Sequence, residues 1–306
     1  MANRILVTGA GGDSGLAAIR ILKASGFYVH ACDCSDISSG LYLADSYSIL
    51  PKASDEKTFL EEIKNIIKNN KIDIIFPNVD EELRIFAKYK DEIDAKIIIS
   101  PLETINLCQN KLETINFLKG YIEVPRTNEA FEEFPLVIRP TVSRGSRNIY
   151  IAKNIKEKEF FLYYIKSLNL IPMIQEHLPG KEYTVDCLFD ENGKLIVLSA
   201  RERMSTKGGI SLVGKTVKEE RINKIIEIIG EKIRFFGPVN IQLKEDKDGV
   251  LKLIEINPRC SGGLPITYKN ELNIPLLAVK IAKGEYISPS ELSYKEGIVF
   301  RYLSEV

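Results

Sequence analysis

LIEINPRCSGGLP, residues 253–265, is an apolar strand interrupted by a glutamate and an asparagine two residues apart. Buried strands rarely carry that pattern for stability alone, because an unpaired carboxylate facing a core is costly. Side chains alternate along a strand, so Glu255 and Asn257 leave the same face. Upstream, PVNIQLKED (238–246) and a turn at Asp248-Gly249 complete a β-hairpin that brings Gln242 opposite the pair or near it. One carboxylate and two amide oxygens form a hard, oxygen-only donor set. It suits Mg²⁺ or Mn²⁺, which keep waters and take further ligands from nucleotide phosphates. The plain alternative is a solvated sheet face with chance polar residues. Against it stand the apolar Leu253, Ile254 and Ile256, of which the two isoleucines are expected to pack behind the site. Arg259 adds a cation beside it.

A chain of 306 residues exceeds the usual single-domain size and implies two or three domains. Its 44% hydrophobic and 27% charged residues are those of an ordinary globular protein. Lys+Arg and Asp+Glu balance at 42 each, which gives no reason to expect nucleic acid or anionic membrane as a partner. MANRILVTGAGG lacks the long apolar core of a signal peptide. No apolar run approaches the roughly 18 residues that span a bilayer. Five cysteines, odd in number and irregularly spaced, suit a reducing compartment, so the expected location is cytoplasmic.

The first hundred residues alternate short β-branched runs (RILVTG, FYVHAC, SYSIL, DIIFP, KIII) with helical patterns. Between Lys57 and Asn70, Phe59, Leu60, Ile63, Ile66 and Ile67 recur at helical spacing. Strands alternating with helices predict a parallel sheet in a Rossmann-like arrangement. After Pro101 the pattern becomes α+β. Two helices precede LVIRP (136–140), then come a turn-rich SRGSRN and a helix around 157–167. A β-rich section follows, and Ile222, Ile225, Ile226, Ile229 and Ile233 mark a helix over 219–236. The glycines in RERMSTKGGISLVGKT (201–216) predict a mobile loop.

TGAGGDSG (8–15) sits between the first strand and a helix, where glycines allow a tight turn and a helix N-terminus can receive phosphate. The same letters spell the TGxxGxxG turn of NAD(P)-dependent epimerases and reductases. Those enzymes use a Tyr-x-x-x-Lys pair, and none of the 13 tyrosines here has a lysine four residues later. A sharp structural turn is the favoured reading. His30, at a strand end, shows no evident partner.

GluIleAsnProArg closing a hairpin resembles the metal-binding strand of the ATP-grasp superfamily, and most of all the carbamoyl-phosphate synthase large-subunit type. The resemblance extends over essentially the whole chain. It implies α/β plus α+β architecture, with a Rossmann-like preATP-grasp domain (1–105) followed by a two-subdomain ATP-grasp fold. The phosphate-loop subdomain would span 106–175, and the ribose, metal and substrate side 176–306. The metal ligands implied are Gln242, Glu255 and Asn257. For ATP the resemblance implies Lys111 and Arg139 at the phosphates, and Ser143, Gly145 and Ser146 in the phosphate loop. That loop departs from the family pattern in having one glycine between arginines. MIQEHLPGKEYTVD resembles the adenine–ribose hinge, which maps Gln175, Glu176, Leu178 and Glu182 to that role. Arg259, Arg139 and Asn257 would be the catalytic groups. Arg201, Arg203 and Lys207 fall where the family places its acceptor-facing segment.

The function implied is an ATP- and Mg²⁺-dependent (or Mn²⁺-dependent) ligase joining a small carboxylate to an amine or ammonia through an acyl phosphate. Carbamoyl-phosphate synthase has two grasp units and an amidotransferase partner. A single unit fits a stand-alone ligase better, with a homodimer and an amidotransferase partner left open. The alternatives are the NAD(P)-dependent enzyme and a nucleotide-binding subunit without turnover.

Overall fold

The computed structural model of the protein describes residues 4–302 apart from 144 and 146, together with 304 and 305. Five parallel strands form the N-terminal sheet: β1 (Arg4–Thr8), β2 (Tyr28–Asp33), β3 (Ser46–Ile49), β4 (Ile74–Phe76) and β5 (Lys96–Ile97). Their order is β3-β2-β1-β4-β5. Helices α1 (Asp13–Ala24), α2 (Ser39–Leu43), α3 (Glu56–Asn70) and α4 (Asp80–Lys88) alternate with them. In α3 the face expected from spacing is the buried one, with Phe59, Ile63, Ile66 and Ile67 inside and Leu60 partly buried.

The strand order reverses at β1, beside the glycine turn. Gly9 has φ +68°, and a Cβ on Gly15 would lie 2.1 Å from the Gly9 carbonyl oxygen. Asp33 at the end of β2 accepts from the Gly11 N–H at 2.7 Å and from the Ser35 N–H at 3.0 Å. Close packing thus accounts for these glycines. His30 corrects the expectation of no partner, since its ring nitrogens meet the Ser46 and Ser48 hydroxyls at 2.7 and 3.0 Å. Parallel pairing of β2 with β3 sets both serines beside it.

Two helices, α5 (Leu102–Gln109) and α6 (Lys111–Leu118), lead into the second half. There β6 (Leu136–Pro140), β7 (Tyr150–Ala152) and β8 (Pro172–Glu176) make a three-stranded sheet backed by α7 (Ile155–Ser167). The larger sheet has six strands: β9 (Glu182–Phe189), β10 (Leu195–Lys207), β11 (Ile210–Val217), β12 (Gly237–Glu245), β13 (Leu251–Asn257) and β14 (Gly297–Phe300). They are ordered β13-β12-β9-β10-β11-β14. Helix α8 (Glu220–Lys232) covers one face through Ile222, Ile226 and Ile229. Burying each such isoleucine contributes about 1.5–3 kcal/mol. Helices α9 (Leu264–Lys269) and α10 (Ile274–Ala282) pack with α1 and β1 in one core. Among the described residues no helix is long and apolar enough to cross a membrane.

The stretch 201–216 is not the expected loop. β10 and β11 form an antiparallel hairpin turned at Gly208-Gly209, both at positive φ, and cross-strand bonding absorbs the polar residues that read as a loop. The pairing of Gln242 with Glu255 follows the expected hairpin, but Leu243 pairs with Leu253, so Ile254 is an inserted bulge residue. Leu253 and Ile256 therefore face the core. Ile254 is only half-buried and borders a cavity, contrary to the expectation that it packs behind.

Burial, aided by Arg4, pulls the His30 pKa from its ordinary 6.5 down to about 4. A group charged in the unfolded chain and neutral in the native one loses stability as pH falls from about 6.5 to about 4. Urea midpoints should drop across that window, and His30→Gln should flatten the drop. Gly15→Ala should destabilise by about 1–3 kcal/mol through overpacking against Gly9, also read from the urea midpoint.

Candidate active site

The six-stranded sheet has two unlike faces. Tyr183, Val185, Cys187, Ile241, Leu243 and Ile256 enter the core under α8. Register places the alternate residues in rows on the opposite face. Asn257, Asn240 and Asp186 align across β13, β12 and β9, and Glu255, Gln242 and Thr184 form the next row. Arg201 continues that second row on β10.

Glu255 is the focus of a charged cluster. The Asn257 amide donates to it at 3.1 Å, and Lys111 Nζ lies 3.7 Å away. Lys111 opens α6, with its Nζ donating to the Ser143 carbonyl at 2.6 Å. Arg139, at the end of β6 and 3% exposed, donates to the Ile254 carbonyl at 2.7 Å. The bulge leaves that carbonyl residue out of the regular pairing. Burial lowers the pKa of both Lys111 and Arg139, and Glu255 opposes the shift in each. Two cations against one carboxylate favour an anionic guest.

Between the small sheet and the large one lies a cavity of about 190 Å³. Val137, Ile149 and Ile151 form one wall, with Leu178 and Ile254 among the residues opposite. Arg139, Ser143, Gln175, Glu182, Gln242 and Glu255 supply polar groups. Glu182 pairs with Lys244 at 3.4 Å and with Arg203 at 3.1 Å. His177 also borders this space, its pKa lowered by burial and by Lys244.

A second cavity, of about 60 Å³, adjoins the first, and Gln242 lines both. Arg201, Arg203, Asn240 and the Ser261-Gly262-Gly263 segment enclose it. Arg201 is fully buried, its Nε and Nη2 donating to Asp186 at 2.9 and 3.2 Å and Nη2 also to Ser261 at 2.9 Å. Thr267 donates to the same Asp186 carboxylate. A Cβ on Gly263 would lie 2.5 Å from Arg201 Nη1, so the guanidinium rests flat on that glycine.

Not every expected site residue joins these cavities. The Glu176 side chain is held away by Lys252 at 2.7 Å and Arg126 at 2.9 Å. Lys207 is exposed near the tip of the β10–β11 hairpin. Gly145 is exposed with φ +60°, and Ser146 lies outside the described residues. Arg259 is engaged by Asp80, the first residue of α4, through a two-point pair at 2.7 and 3.1 Å. Sequence reasoning missed Asp80, which lies 179 positions away, and Arg301, which reaches Asp13 at 3.6 Å and the Ser211 carbonyl at 3.3 Å. It also missed Asn240, although the two-residue spacing from Gln242 was a usable signal.

Residues 171–306 match the family described as ATP-grasp in the biosynthetic pathway with Ter operon. Residues 5–100 match the PylC-like, N-terminal domain. The carbamoyl phosphate synthase large chain of Thermoanaerobacter sp. (strain X514) is 29% identical over 230 residues, covering 66% of this chain and 21% of that one. The chain thus spans about a fifth of the length of that curated relative. Among solved structures, the biotin carboxylase domain dimer of Hydrogenobacter thermophilus 2-oxoglutarate carboxylase, in complex with MgADP, ADP and bicarbonate, aligns with a TM-score of 0.75. The identity is 18%, over 97% of this chain and 73% of that one. The L-amino acid ligase of Bacillus licheniformis aligns at 0.73, with 19% identity over 95% and 76%. The chain therefore carries a PylC-like N-terminal domain followed by an ATP-grasp domain.

Because Glu255 holds the Lys111 pKa up against burial, Glu255→Gln should lower it further. NMR titration of the lysine side chain checks this. An unchanged or raised value would show that Lys111 does not sense Glu255.

Proposed function

We propose that the protein is an ATP- and Mg²⁺-dependent ligase that joins a small carboxylate to an amine through an acyl phosphate, acting as a soluble cytoplasmic enzyme. The observation that carries this reading is the meeting of Lys111, Arg139 and Gln242 around Glu255, at the boundary of the two cavities. The larger cavity suits a nucleotide, with apolar walls for the base and cations at one end. In this reading the hinge backbone around Gln175, Glu176 and Leu178 holds adenine. Glu182 accepts from ribose hydroxyls with the oxygen lone pairs its ion pairs leave over.

Among the described residues no three of His, Cys, Asp and Glu converge. A metal at Glu255 would therefore lean on the amide oxygens of Gln242 and Asn257 and on ligand phosphates. That donor set fits Mg²⁺, which binds through one or two carboxylates and keeps phosphate and water ligands. The metal would neutralise charge on the phosphate oxygens during transfer. Lys111 and Arg139 neutralise others, while the backbone around Ser143 and Gly145 covers the phosphates. Arg259, fixed by Asp80, keeps N–H groups free for the transferring phosphoryl or the acid.

An oxygen of the carboxylate attacks the γ-phosphorus, and the bond to the bridging oxygen breaks to release ADP. The amine nitrogen then attacks the acyl carbon, the bond to the phosphate oxygen breaks, and the amine proton leaves to solvent. Catalysis here is positioning and charge stabilisation rather than a protein nucleophile.

ADP release with Mg²⁺ should appear for one acid–amine pair from a panel. Glu255→Gln and Asn257→Ala should each lower that turnover at least about 100-fold, equivalent to about 2.7 kcal/mol, with circular dichroism unchanged. Full turnover by both variants at limiting Mg²⁺ would exclude the metal assignment. Tight ATP binding without ADP release for any pair would make the protein a nucleotide-binding subunit.

A further inference from the structure

Among the described residues, most of the buried side-chain atoms without a hydrogen-bond partner belong to residues that line the two cavities. At the larger one they are Arg139 Nε and Gln175 Oε1, and at the smaller one Arg201 Nη1, Arg203 Nε and Asn240 Oδ1. Arg203 Nε is 3.1 Å from Glu182 but its N–H is aimed off the oxygen. Leaving such groups unpaired is costly, so a ligand that pairs them is favoured. Arg201 is 1% exposed and Asn240 is 5% exposed.

The smaller cavity therefore presents two unused guanidinium donors, Arg201 Nη1 and Arg203 Nε, and one unused amide acceptor, Asn240 Oδ1. Its charges are otherwise balanced, Arg201 by Asp186 and Arg203 by Glu182. A bare anion or a bare cation would unbalance that wall, whereas a zwitterion would not. Ammonia would satisfy Asn240 and leave Arg201 Nη1 unpaired. It would also underfill the space, because one water-sized molecule needs only about 10–15 Å³ of the roughly 60 Å³ present.

Resting on the ligase reading, we propose that this cavity binds the amine partner and that the partner is a small amino acid. Arg201 Nη1 takes its carboxylate and Asn240 Oδ1 its amino group. The orientation follows from strand order. Asn240 pairs directly with Asn257 on β13, while Arg201 stands two strands further from β13. The amino end is thus nearest the strand where the acyl phosphate would form, and the carboxylate is remote from it. The glycine at 263 is part of the device, since a side chain there would displace the Arg201 guanidinium.

The test is calorimetric binding to the full chain with Mg²⁺ and a non-hydrolysable ATP analogue. Short α- and ω-amino acids are compared with the matched amine lacking the carboxylate, the matched acid lacking the amine, and ammonium chloride. An amino acid should bind at least about tenfold more tightly than any comparator. Asn240→Ala should remove that preference, as should Arg201→Lys, which keeps a charge opposite Asp186. Binding of the matched amine or acid as tightly as the amino acid, no binding of any amino acid, or a preference that survives both substitutions overturns the proposal. The ligase reading is read separately from ADP release, so its failure with amino acid binding intact is distinguishable.

Discussion

Residues 253 and 255 of β13 lie on opposite faces of the sheet, although regular pleating would put them on the same one. The inserted Ile254 makes the difference, and much else depends on it. It lets Leu253 stay in the core while Glu255 faces Gln242, and it turns a carbonyl toward Arg139. Without the bulge, either the core would lose a leucine or the cavity its carboxylate. A one-residue shift in a strand exchanges its faces, and here the exchange is confined to one position.

Around this point the charges are arranged to be deficient in anions. Lys111, Arg139 and Arg259 face Glu255 and Asp80. The Asp80 pair fixes the direction of Arg259 and joins the N-terminal layer to the end of β13. The Gln109 side chain donates to the Asp80 carbonyl, so the helix just before Lys111 is tied to the same residue. Strand β13, the connecting helices α5 and α6, and α4 thereby form a closed ring of contacts. By contrast Arg201 and Asp186 form a buried, nearly saturated pair, whose value lies in orientation more than stability.

Much of the fold was legible because it rests on local period. The α3 and α8 faces follow helical spacing, and β9 alternates Glu182, Thr184 and Asp186 with Tyr183, Val185 and Cys187. What escaped reading depends on pairing between distant segments. Nothing in LKLIEINP marks the bulge, which exists only relative to β12. Arg201 and Arg203 read as loop residues because their carboxylate partners stand on another strand. His30 looked solitary for the same reason, since Ser46 and Ser48 come from β3. Of the candidate site, the residues near one hairpin were within reach, while Asp80 and Arg301 carried no local signal.

Gln242 belongs to the wall of both cavities, and Arg203 and Glu182 lean on each other across the same partition. A guest in one space thus rests on side chains that shape the other. Any resulting change in affinity must be equal in both directions, by thermodynamic linkage. The partition is then more than a divider: it makes the affinity of each space depend on what fills the other.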